Sequence, residues 1–189
     1  HELKFDYLPE LQEETTAAKK KRGRKSKVVR MFNTFTLHLS RAKDIAKLVE
    51  LRHGQVKNYR EYICFLFRYF TCCYTSDPEQ ALEETLDLNS EFAEPLSERE
   101  VKSATRKAEL AWAERSDAKA NELARSLGYP GAGYFLTNKK IIEWLDISKE
   151  EQKEMSTIIG ADEKRRRNRL YKEQLRRSQG VRPMAEYNE

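Results

Sequence analysis

An all-α fold, a helical bundle, is predicted by three features of this sequence. Apolar residues recur at helical spacing in most segments. Helix-opening signals stand in front of several of them. No two alternating runs flank a short turn of the kind that makes a hairpin. The chain has 189 residues, of which 35% are charged, and a mean hydropathy of −0.86. That is enough material for one domain or two small helical ones, with much surface or linker. No run approaches the ~18 apolar residues of a membrane span, and no secretory signal is visible.

The first segment, 1–34, reads as a tail and a basic linker. Residues 1–18 mix four apolar anchors (Phe5, Tyr7, Leu8, Leu11) with acids, as a docking segment would. The run 19–30, KKKRGRKSKVVR, contains Gly23 and Ser26 and no apolar period, which suits a flexible linker. Lys21, Arg22, Arg24 and Lys25 within it are candidate phosphate contacts. RGRK looks like an AT-hook without its rigid proline, and a plain basic linker also binds phosphate nonspecifically.

A first domain is expected over 35–130. Ser40 is expected to cap a helix whose inward face is Ala42, Ile45, Ala46 and Val49, ending at Gly54. The stretch NYREYICFLFRYFTCCYT is apolar nearly all round and free of Gly and Pro, so it reads as a central buried helix. Its aromatic and β-branched residues also suit strands. Asp77 followed by Pro78 opens a third helix with Leu82, Leu86 and Phe92 inward. Ser97 with Glu100 makes a capping box for a fourth, striped by Val101, Ala104, Ala108 and Ala111. Residues 113–133 are a weaker helix running into GYPGAG, a breaker and expected boundary. Trp112 and Trp144 are expected in the core. Cys64, Cys72 and Cys73 have no framework or zinc spacing and read as reduced, buried thiols.

The second module is expected over 134–180. Thr137 can cap a helix over 138–146 with Ile141, Ile142 and Leu145 inward. Ser148 and Glu151 make another capping box, opening a helix over 149–159 with Met155, Ile158 and Ile159 inward. Two short helices joined by DIS have helix-turn-helix dimensions. Against base reading, Glu150, Glu151 and Glu154 lead the second helix, where phosphate would repel them. A long basic C-terminal helix follows. Arg165, Arg169, Lys172 and Arg176 share one face at i, i+4, i+7 and i+11, a stripe ~16 Å long. Tyr171 and Leu175 are expected to dock that helix on the module before it. Arg166, Arg177, Lys139 and Lys140 complete the candidate nucleic-acid contacts.

Residues 53–112, with LNSEFAEPLSEREVKSATRKA near their end, resemble the primase C-terminal domain, a small helical module downstream of primase-polymerase or initiator catalytic domains. The matching features are Asn89, the turn Pro95, Leu96 and Ser97, Glu100 with Val101, and Ser103 with Ala104. Pro95 stops a helix, Ser97 caps one and Val101 is core, so the resemblance implies a setting among replication proteins and no chemistry of these residues. From Tyr134 onward the chain also looks like the C-terminal part of replication proteins of plasmids and mobile elements of Gram-positive bacteria.

No catalytic residue, metal ligand set, cofactor or small-molecule substrate is expected. His1, His38 and His53 are isolated, acids lie on helix faces, and no Walker glycine loop or Cys/His metal spacing occurs. Net charge is +5, with basic blocks at 19–30 and 164–177 around an acidic 77–100, as a polyanionic partner would require. The expected function is the DNA-binding C-terminal region of a replication protein whose enzymatic domain, if any, precedes His1. Duplex DNA is favoured over single strands, with other replication proteins or self-association as further partners. The expected setting is bacterial cytoplasm, or a nucleus in a eukaryote. The alternatives are a stand-alone DNA-binding regulator or architectural protein, and a protein-interaction module with basic linkers.

Overall fold

The computed structural model describes residues 34–180 of the chain. Lys21, Arg22, Arg24 and Lys25 lie outside the described residues. Among the described residues all regular structure is helical: α1 (Thr34–Leu51), α2 (Arg60–Thr75), α3 (Pro78–Ser90), α4 (Glu98–Glu114), α5 (Ala118–Ser126), α6 (Asn138–Leu145), α7 (Lys149–Glu154) and α8 (Ala161–Ser178). None of these helices is long and apolar enough to cross a membrane.

The aromatic stretch is the helix α2, and it is the axis of the fold. Ile63, Cys64, Leu66, Phe67, Tyr69, Phe70 and Cys72 are buried along it, because α1, α3 and α4 each pack against it. A helix enclosed on several sides has no polar stripe to display, so its apolar residues lose the period that marks a surface helix. Burial pushes the Cys64 thiol up to about 12 and the Cys72 thiol up to about 11, which keeps both as unreactive thiols.

Helix α1 begins two turns earlier than the sequence suggests, and Ser40 lies inside it. Those added turns rest on α2: the Phe35 ring meets Tyr74 edge-on at 6.0 Å, and His38 stacks on Phe70 at 5.5 Å. Packing outweighs the local capping preference of a serine. After Leu51 the chain turns through His53 and Gly54, both left-handed. Gly54 cannot be replaced without movement, since a Cβ there would sit 2.4 Å from the Glu91 carbonyl oxygen.

Caps set the remaining starts. The Asp77 carboxylate accepts from the backbone N–H of Glu79 and Gln80, with Pro78 following. The buried face of α3 is Ala81, Thr85 and Leu88, with Leu82 and Leu86 at its edge and Phe92 buried in the turn beyond. Asn89 ties that turn by donating to the Leu96 carbonyl and accepting its N–H, both at 2.9 Å. Both halves of the Ser97/Glu100 capping box are present. Thr105 takes the inward position expected of Ala104, because its hydroxyl accepts from the Arg68 guanidinium at 2.8 Å and donates to the Val101 carbonyl at 2.8 Å. Trp112 and Trp144 are partly buried against the core. Helix α5 buries nothing.

Helix α7 is shorter than expected. It spans six residues, and Met155 is already extended. The cause lies far away in sequence: the buried Asp44 carboxylate of α1 accepts from the backbone N–H groups of Ser156, Thr157 and Ile158, and from the Ser156 hydroxyl. One carboxylate therefore offers these N–H groups a better partner than a continued helix does. Met155 and Ile158 are buried from this non-helical segment and join Ile141, Leu145 and Ile147 in one core with α1, α2 and α4. Arg52 adds a second tie, with its Nε 2.6 Å from Glu151 and an Nη2 bond to the Asp146 carbonyl at 3.0 Å.

Candidate nucleic-acid interface

Helix α8 has a firmly held start and a bare remainder. Gly160, its N-cap, donates its N–H to the Gln152 side-chain oxygen at 2.8 Å, and that side chain donates to the Ile147 carbonyl at 3.1 Å. Asp162 and Glu163 occupy the first turn, where the helix dipole favours acids. The buried Glu163 carboxylate accepts from Arg166 through Nε and Nη2 at 2.7 and 2.8 Å, and from Arg167 Nε at 2.7 Å. Hydrogen bonds from Arg166 and then Arg167 hold its carboxyl down to about 2.

Arg167 is the residue that fastens α8 to the rest of the fold. Its Nη2 donates to the carbonyls of Gln152, Lys153 and Met155 at 2.8, 2.9 and 2.7 Å. It thereby caps the C-terminal end of α7, whose last carbonyls carry partial negative charge. The sequence offers a weak signal for this in Glu163 lying four residues before Arg167, but the partners on α7 are invisible to periodicity.

Beyond Arg167 every residue from Asn168 to Gly180 is exposed. The expected docking by Tyr171 and Leu175 does not occur: they are 65% and 43% exposed, and Leu170 is 42% exposed. The reason is direction. The anchoring turns fix α8 so that its later turns meet no packing neighbour among the described residues.

The predicted basic residues divide by what they touch. Arg165, Arg169, Lys172 and Arg176 share one face, about 110° round the helix from Tyr171 and Leu175. Arg165 pairs with Asp162, while Arg169, Lys172 and Arg176 form no ion pair among the described residues. A shallow depression on this side is lined by Asp162, Arg165, Arg166 and Arg169. Arg166 is engaged by Glu163, and Arg177 pairs with Glu173 at 3.0 Å on the surface. Lys139 and Lys140 are exposed on the first turn of α6. Lys140 lies 3.6 Å from Glu143 and over the Trp144 ring at 5.7 Å.

No family model matches this sequence, and no solved structure matches it. Over 158 residues it is 39% identical to a protein described as "Replication protein" from Clostridium perfringens, a stretch covering 84% of this chain and 34% of that one. The chain thus spans about a third of the length of the relative it matches, and it is homologous to that part of a replication protein from a Gram-positive bacterium.

Proposed function

We propose that this chain is the DNA-binding region of an initiator- or primase-type replication protein of a bacterial mobile element, and that it follows the duplex backbone with α8. The observation that carries the reading is the exposed face of Arg165, Arg169, Lys172 and Arg176 on a helix anchored only at its start. Similarity to part of a replication protein supports the setting, as does the resemblance of 53–112 to a primase C-terminal domain. Charges at this spacing suit phosphates along ~16 Å of helix, and such contacts position a protein without choosing a sequence.

In this reading α6 and α7, although of helix-turn-helix dimensions, serve as the mount for α8. The six residues of α7 include Glu150, Glu151 and Glu154, and Glu151 is committed to Arg52. Arg166 and Arg177 contribute long-range positive charge, Lys139 and Lys140 extend the basic surface, and Lys21, Arg22, Arg24 and Lys25, outside the described residues, add nonspecific phosphate attraction as a basic run. No catalytic step is assigned to these residues.

The test is titration of fluorescent duplex and single-stranded DNA at several salt concentrations, with the intact chain and with Arg165, Arg169, Lys172 and Arg176 changed to Gln. Binding to duplex with a steep salt dependence is expected, and the fourfold variant should flatten the logarithmic slope by about 3 to 4 units. A sequence preference that survives in the variant would move base reading to α6 and α7. No binding at about 50 mM salt, or an unchanged slope, would sink the proposal.

A further inference from the structure

Beyond Arg167 the surface of α8 holds an apolar pair as well as cations: Tyr171 and Leu175, at i and i+4, both largely in water. Phosphates offer no cover for that area, so the pair is unexplained by contact with a nucleic-acid backbone. A strip of this kind beside a row of cations suits a protein surface with a narrow apolar strip and acids next to it. Helix α3 is such a surface. Leu82 and Leu86, also at i and i+4, are only partly buried at the edge of the core. Glu79, Glu83, Asp87 and Glu91 form one exposed row at spacings of four. That row makes no ion pair among the described residues, whereas nearby acids are engaged: Glu84 accepts from Tyr74 and Gln80, Glu94 pairs with Lys57, and Glu98 with Lys102.

The two faces also match in hand, length and order. The acid row lies ~80° round α3 from its leucine pair, and the basic row ~110° round α8 from Tyr171 and Leu175, in the same rotational sense. Helices that share a sense bring their rows to the same side only when they run antiparallel. The rows are ~18 Å and ~16 Å long. One antiparallel register then serves every pair. With Tyr171 opposite Leu86 and Leu175 opposite Leu82, Arg165 falls beside Glu91, Arg169 beside Asp87, Lys172 beside Glu83 and Arg176 beside Glu79. The α3 that α8 would meet belongs to another copy. Arg167 fastens α8 to its own chain, and there every residue from Asn168 to Gly180 is exposed. Two α8 helices cannot serve each other, since both present cations.

We propose that α8 of one copy lies antiparallel on α3 of the next, so that the chain self-associates head to tail and DNA competes for the same arginines. The contact uses two different faces, so it generates rings or open chains rather than a closed dimer. Two apolar pairs and a solvent-screened charge row make a small interface, formed at about tens of micromolar and above. Assembly holds α8 in reserve, and duplex DNA, with its dense negative charge, releases single copies. The association stands on the two faces alone, whereas its release by DNA rests on the reading of α8 above.

The experiment is sedimentation velocity of the full chain from about 5 to about 500 μM, at about 50 and about 500 mM salt. The unaltered chain should form species larger than a dimer as its concentration rises, and the higher salt should weaken their association about tenfold or more. Two variants follow: Glu79→Lys, Glu83→Lys and Asp87→Lys on α3, and Arg169→Glu, Lys172→Glu and Arg176→Glu on α8. Both change exposed residues only, so both should keep their helix content by circular dichroism. Each should be monomeric alone, and an equimolar mixture should associate again, because each supplies the sign that the other lacks. Duplex DNA added to the unaltered chain should dissolve the assemblies into DNA-bound single copies. Reversals that leave association unchanged, or a mixture that stays monomeric, would overturn the proposal. So would an unaltered chain that is monomeric throughout, which would pass the apolar strip of α8 to a different, acidic protein. Assemblies that persist on saturating DNA would overturn the competition. DNA binding by a chain that never associates sinks this inference alone, and association without DNA binding upholds the contact and sinks the α8 reading instead.

Discussion

Arg68 on α2 and Arg169 on α8 are the same residue on helices of 16 and 18 residues, in opposite surroundings. Arg68 is 5% exposed and donates to Thr105 and to Glu109, at 2.8 and 2.6 Å. Arg169 stands in solvent with no ion pair among the described residues. On α2 the Arg68 guanidinium is tied through both Nη atoms to α4, and the arginine serves the fold. On α8 beyond Arg167 no side chain is tied to another element among the described residues, so most of the positive charge serves no internal purpose. The contrast separates residues the fold consumes from residues it leaves available.

The contrast can be broken most forcefully at the core. Phe70→Ala should cost about 3 to 5 kcal/mol in urea unfolding, since the ring is fully buried. Tyr171→Ala, removing as large a side chain from α8, should stay within about 0.5 kcal/mol; a comparable loss would mean that α8 packs on something in solution. Next in size is Asp44→Ala, which strips four hydrogen bonds from 156–158 and should cost about 3 kcal/mol. Hydrogen exchange at those three amides should accelerate in step.

Arg167→Ala should cost about 1 to 2 kcal/mol and raise exchange across α8 while leaving α2 protected. If α8 stays as protected as before, the three carbonyl contacts are not its anchor. Acid gives a milder route to the same detachment. The Glu163 carboxyl is lowered from 4.5 to about 2 in the fold, so its stabilising contribution is complete above about 4.5 and fades as pH falls through about 2. In the Glu163→Gln variant the acid-induced loosening of α8 should vanish, because the titrating group is gone.

What the sequence made legible was local. The capping boxes at Ser97 and Ser148, the Asp77 cap with Pro78 and the Thr137 cap act within four residues, and each opens the helix expected of it. The shared face of Arg165, Arg169, Lys172 and Arg176 follows from helix geometry alone, because no described residue packs on it to alter the outcome. The misreadings were all long-range. Asp44 ends α7 from more than 110 residues away, and α2 draws the first turns of α1 into a helix through Phe35 and His38. Tyr171 and Leu175 looked inward because an apolar pair at helical spacing usually has a neighbour.

A helix clamped at one end behaves as a lever. From Arg167 to Ser178, α8 extends ~16 Å past its last fastening, so a tilt of ~10° about that point sweeps the tip through ~3 Å. No buried side chain opposes the tilt, because none lies along that arm. A rigidly seated row of arginines would fit one curvature of the surface it meets. This arm can trim its angle to several, at the expense of little more than the exposed bonds near its pivot.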